Sequence, residues 1–132
     1  MGAEPWDYFV PYEQDVQAAL TKLKEQVFRA GRYRYSEENP SSIEEARDIA
    51  EADGTASILD MDRVGADPDF GVVAPMSPER LVALFGTAQP TREMIERNQD
   101  FYEEIERGQG VYIVSYRDGK PSEIFFGGYS FD

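Results

Sequence analysis

Between residues 6 and 30 the spacing of apolar side chains changes once, and that change constrains the fold more than any other feature. In WDYFVPY (6–12), Trp6, Tyr8, Val10 and Tyr12 recur at every second position, the pattern of a strand with one face turned inward. Pro11 has no amide donor, so this end of the strand is expected at a sheet edge or a bulge. From Glu13 onward Val16, Leu20, Leu23 and Val27, with Ala19 and Ala30, fall on one helical stripe, and Gly31 follows as a helix stop. A strand feeding an amphipathic helix predicts that the helix packs back onto a sheet.

The far end of the chain carries the clearest β signal. VYIVSY (111–116) and SEIFFGGYSF (122–131) flank RDGK, in which Asp118-Gly119 suits a two-residue hairpin turn. Gly127-Gly128 inside the second run points to a bulge or to the close approach of another backbone.

Between these ends the elements are shorter. RYRYS (32–36) reads as a short strand and EENPSS (37–42) as a loop. Ser42 with Glu45 forms a capping box for a helix over 43–53, with Ile43, Ala46, Ile49 and Ala50 inward and Gly54 at its end. TASILDM (55–61) and FGVVAP (70–75) read as strands. Ser77-Pro78-Glu79 opens a helix that buries Leu81, Leu84 and Phe85 and stops at Gly86. Thr91 caps a helix expected to run to Arg107, with Met94, Ile95, Asn98, Phe101, Tyr102 and Ile105 on its inner side. The order predicts an α+β fold: one domain over 1–132, a mainly antiparallel sheet with a C-terminal β-hairpin, and about four helices packed against one face. At 132 residues and 41% hydrophobic, the chain can fill one core.

The residue inventory narrows the chemistry. Cysteine and histidine are both absent. That excludes disulfides, thiolate nucleophiles, zinc–thiolate sites and every mechanism that turns on imidazole. No G-x-S-x-G, H-E-x-x-H or S-x-x-K pattern occurs, and Gly108-Gln109-Gly110 follows a helix instead of opening one, so it is not a phosphate loop. The inventory leans away from an enzyme, and no cofactor is expected.

One stretch resembles a metal loop in part. In DMDRVGADPDFG (60–71), Asp60, Asp62 and Gly65 match the first, third and sixth positions of a calcium loop, but Val64 stands at the fifth and Gly71 at the twelfth, where a glutamate belongs. An acidic turn between two strands is the simpler reading, and no metal is expected there.

Charge is the remaining signal. The chain has 26 acids against 13 bases, a net charge of −13. Nucleic-acid binding and attraction to anionic membranes both rest on basic residues, so neither is expected, whereas long-range attraction to a basic protein is. Between Glu37 and Asp69 eleven acids stand against two bases; residues 22–34 hold Lys22, Lys24, Arg29, Arg32 and Arg34 against Glu25. If these segments lie on different faces the molecule is strongly dipolar; if they pair, it is not.

No apolar run approaches the roughly 20 residues of a membrane helix. The opening residues are acidic where a secretory signal is basic, and Gly2 lacks the Ser or Thr that myristoylation requires at position 6. The expectation is a cytoplasmic protein.

The function expected from these features is that of an acidic, non-enzymatic binding protein, an immunity protein or inhibitor of a basic protein partner. Glu44, Glu45, Asp48 and Glu51 on the second helix, and Asp60, Asp62, Asp67 and Asp69 after it, are the expected partner-binding residues. The alternative is a small carboxylate- or metal-dependent enzyme using the 60–69 loop, with Asp60 and Asp62 as an acid–base pair. A homodimer through an open edge at the C-terminal strand is a third expectation.

Overall fold

The computed structural model describes residues 3–132. Met1 and Gly2, the latter weighed above as a lipid acceptor, lie outside the described residues.

The fold is α+β, and its centre is a five-stranded mixed sheet. β1 (Pro5–Pro11) forms one edge and pairs antiparallel with β5 (Lys120–Tyr129), which pairs antiparallel with β4 (Gly110–Arg117). β3 (Val72–Pro75) joins β4 in parallel, and the two-residue β2 (Arg63–Val64) joins β3 in parallel at the other edge. The mainly antiparallel sheet expected is found in the three long strands, and the sheet is mixed because the short β3 and β2 add in parallel beyond β4. The segment 76–109 between β3 and β4 is the long crossover that their parallel pairing needs, whereas the two-residue β2 reaches its place beside β3 through the short loop 65–71.

That crossover also corrects the expectation that all helices pack on one face. α1 (Val16–Ala30) and α2 (Ile43–Ala50) cover one side, where Leu20, Leu23, Val27 and Ala46 meet Trp6, Val10, Val73, Ile124 and Phe126. α3 (Pro78–Phe85), α4 (Arg92–Arg97) and the 3-10 segment Asp100–Glu104 cover the other, where Ile95, Phe101, Leu81 and Phe85 pack around Ile113 and Phe125. β5 is an interior strand between β1 and β4, and Ile124, Phe125 and Phe126 are all fully buried because successive side chains enter opposite cores.

Local signals explain the helix ends. Asp15 accepts from the Ala18 amide at 3.1 Å, and Gly31 ends α1 at φ 67°. Ser42, Ser77 and Thr91 cap α2, α3 and α4 in the same way as Asp15. At the hairpin turn Asp118 and Gly119 both take positive φ, 52° and 75°, as a type I′ turn requires.

Four expected elements differ. RYRYS is no strand, because Tyr35 turns left-handed at φ 69°. The helix expected over 43–53 ends at Ala50, where Glu51 adopts φ 49° and one 3-10 turn follows. TASILDM is no strand either: the Ser57 and Asp60 side chains accept from the nearby Leu59 and Thr55 amides, which offers an alternative to ladder bonds. The helix expected from Thr91 to Arg107 breaks at Asn98.

Gly127-Gly128 is not a bulge, since both residues keep register with β1 and β4; the register shift lies at Ser115/Tyr116. The glycines instead allow close approach. A Cβ on Gly128 would lie 2.6 Å from the Trp6 ring, and one on Gly127 2.6 Å from the Tyr102 hydroxyl. Nor is β5 an open edge, being flanked by β1 and β4. A homodimer through that strand has no free backbone to use. Among the described residues no helix is long and apolar enough to cross a membrane.

Candidate functional site

The eight carboxylates expected to face a partner separate into an internal group of one and an exposed set of seven. Asp60 is 0% exposed. One oxygen accepts from the Thr55 amide at 2.7 Å and the Thr55 hydroxyl at 2.8 Å; the other accepts from Ser130 at 2.6 Å. A buried carboxylate held by three donors is a tether inside the fold, so Asp60 leaves the partner-binding set.

Glu44, Glu45, Asp48 and Glu51 are exposed on and just beyond α2. Glu44 and Asp48, four residues apart, share one side of the helix and line an open groove of about 490 Å³ with Ile43, Arg47 and Phe131. Glu45 points elsewhere, accepting from Ser41 at 2.9 Å. Glu51 lies past the helix end, outside that groove. Asp62 leaves the fold beside Asp60 and pairs with Arg47 at 2.5 Å. Asp67 and Asp69 are exposed in the loop between β2 and β3, and Asp69 accepts from the Phe70 amide at 2.8 Å.

The stretch 60–71 is therefore neither a calcium loop flanked by helices nor a simple strand-to-strand turn. It contains the edge strand β2, and its backbone doubles back so that Asp62 and Arg63 both donate to the Gly71 carbonyl. Asp60 and Asp62 diverge, one inward to Ser130 and one outward to Arg47, which removes the geometry of an acid–base pair. Among the described residues no three or more acids converge as a metal cluster.

Two bases of the basic segment reach backbone carbonyls. Lys24 donates to the Met61 carbonyl at 2.6 Å, and Arg34 donates to the carbonyls of Asp53, Gly54 and Asp132. Burial pulls the Lys24 ammonium below its ordinary value, Arg47 adds to that, and Asp62 opposes it. Two of the five bases thus hold the backbone of the acidic third of the chain. Tyr35 donates to Asp53 at 2.7 Å, and that bond to the carboxylate raises its pKa.

Sequence reasoning missed two residues of this surface. Phe70, 60% exposed, stacks on Phe131 with ring centroids 4.8 Å apart and planes 21° from parallel. Each had been read into a strand, whereas β3 begins at Val72 and β5 ends at Tyr129. The available signal was Phe70 between Asp69 and Gly71, an aromatic residue in an acidic loop.

A larger groove of about 840 Å³ lies at the opposite end of the sheet, lined by Thr91, Arg92, Tyr116, Ser122 and Glu123 among others. Its Arg92 is committed to Glu123 at 3.1 Å and sits 4.2 Å over the Phe9 ring.

The chain matches no protein-family model, no curated protein and no solved structure.

Proposed function

We propose that this chain is an acidic, non-enzymatic, cytoplasmic binding protein that occupies a basic protein partner, as an immunity protein or inhibitor does. The observation that carries the reading is the exposure of Glu44, Glu45 and Asp48 on α2, Glu51 just past it, Asp62 just before β2, and Asp67 and Asp69 in the β2–β3 loop, in a chain of net charge −13. Carboxylates in this setting attract cationic partners over a Debye length, about 8–10 Å at physiological salt, and act mainly on association rate. Their role is steering and salt-bridging to lysine or arginine.

The test is affinity capture from the native host's lysate at low and high salt, repeated with Glu44→Lys, Asp48→Lys, Asp67→Lys and Asp69→Lys combined. The expected result is one basic protein, lost at high salt, whose association slows at least about tenfold with the reversed chain, in keeping with the size of electrostatic steering. A partner retained equally by both chains overturns the proposal.

A further inference from the structure

We propose that the Phe70–Phe131 stack is the seat for an arginine side chain of that basic partner, an inference that rests on the acidic-face reading above. Phe70 is the most exposed large hydrophobic among the described residues, yet its ring stacks on Phe131. Behind it lies Gly108, where a Cβ would be 2.6 Å from the Phe70 ring carbon Cδ2 and 3.2 Å from the Phe131 ring. The Gly71 amide donates to the Gly108 carbonyl at 2.7 Å, fixing the backbone on which Phe70 stands. Glycine at 108 is thus what leaves room for the two stacked rings. The stack is already formed in the free chain, which lowers the ordering cost of binding.

Its rim is acidic. Asp69 precedes Phe70, Asp62 abuts Gly71, Asp132 follows Phe131, and Glu44 and Asp48 line the groove that Phe131 closes. The nearby cations Arg47 and Arg107 are ion-paired with Asp62 and Asp132. A second copy of this chain would bring the same carboxylates against these and is repelled. The complement of a flat π face ringed by carboxylates is a planar cation with several donors. Arginine has that shape: its guanidinium stacks on an aromatic face and its fork meets carboxylates, while lysine offers a compact, strongly hydrated charge.

The experiment uses two synthetic probes, a hepta-arginine peptide and a hepta-lysine peptide, titrated against the full chain by NMR and calorimetry. The expected result is tighter binding of the arginine peptide, with ring-proton shifts at Phe70 and Phe131. Phe70→Ser should weaken the arginine peptide about fivefold to thirtyfold and the lysine peptide about twofold or less, while Phe70→Tyr retains the preference. A circular dichroism spectrum and melting curve matching the parent chain establish that Phe70→Ser is folded, as its exposure predicts. Equal binding of both peptides, weakened by the combined charge reversal but not by Phe70→Ser, overturns the arginine seat and leaves the acidic-face reading standing. Failure of both peptides to bind, or binding indifferent to charge reversal, overturns both.

Discussion

The Ser130 hydroxyl donates to the Asp60 carboxylate over 2.6 Å, joining residues 70 positions apart at a point neither shares with solvent. The bond fastens the segment after β5 to the turn that leads into β2. Ser130 also accepts from the Ala56 amide at 3.0 Å, so one hydroxyl serves both sides of the junction. The carboxylate that the sequence offers as part of an acidic surface is here a piece of internal scaffolding.

Asp60→Ala should therefore destabilise the chain by about 2–4 kcal/mol, since it removes the acceptor that a buried amide and two buried hydroxyls share. Asp67→Ala, on the exposed loop, should stay within about 0.5 kcal/mol of the parent. Urea unfolding of the two variants checks this. Equal midpoints would show that the Asp60 network contributes nothing net.

Gly128 and Gly86 separate two reasons for requiring glycine. A Cβ at Gly128 would meet the Trp6 ring at 2.6 Å and the Gln109 carbonyl, with no left-handed backbone involved. Gly86 has open space around it but sits at φ 78°. Gly128→Ala should cost about 1–3 kcal/mol by overpacking and shift the emission of Trp6, the only tryptophan. Gly86→Ala should cost about 1–2 kcal/mol through backbone conformation alone, leaving the Trp6 spectrum unchanged. A Trp6 shift in both variants would mean that the Gly86 effect is not local.

Alkaline stability follows from Tyr102. Burial raises its phenol above the ordinary value of 10.0, and the charges of Asp7 and Tyr129 raise it further. Above that pH the unfolded chain has lost a proton that the folded chain keeps, so stability is whole below about pH 10 and falls as pH rises. Tyr8, also raised by burial, acts with the same sign. Lys24 acts oppositely: its value is lowered from 10.5, so just below that pH the folded chain holds fewer protons and stability rises with pH. Tyr102→Phe should flatten the alkaline loss, while costing about 1 kcal/mol at neutral pH for the bond its hydroxyl donates to the Trp6 carbonyl at 2.9 Å. Denaturant unfolding from pH 8 to 11.5 checks both effects. An unchanged alkaline slope would remove Tyr102 as the source.

What was legible in the sequence were the elements whose pattern and local chemistry agree. α1 has a full apolar stripe, an aspartate cap and a glycine stop, and the hairpin has Asp118-Gly119 between two β-rich runs; both formed as expected. What was not legible depended on partners distant in sequence. Thr55 and Asp60 look like strand residues until Ser130 is placed beside them. Helices on both faces left one trace, the unbroken Ile124-Phe125-Phe126, where a one-sided sheet would alternate. For the candidate site, the exposed acids of α2 were readable from helical period alone. The Phe70–Phe131 stack was not, because its two rings come from opposite ends of the sheet's connectivity.

Asn98 tests that distinction directly. Apolar spacing alone continues a helix through it, with Phe101, Tyr102 and Ile105 in phase after Met94 and Ile95. Instead its side-chain oxygen accepts from the Asp100 amide at 3.1 Å, and its amide donates to the Leu84 carbonyl at 3.0 Å, near the end of α3. The first bond turns the backbone out of the helix, and the second ties that turn to the preceding helix. Alanine has the higher helix propensity by some tenths of a kcal/mol. Asn98→Ala should nevertheless destabilise the chain by about 1–3 kcal/mol, because it removes two hydrogen bonds and leaves a part-buried carbonyl unpaired. Far-UV circular dichroism should show no added helix in the folded variant. A more stable, more helical Asn98→Ala chain would mean that local periodicity governs this segment and that the break is held by something other than Asn98.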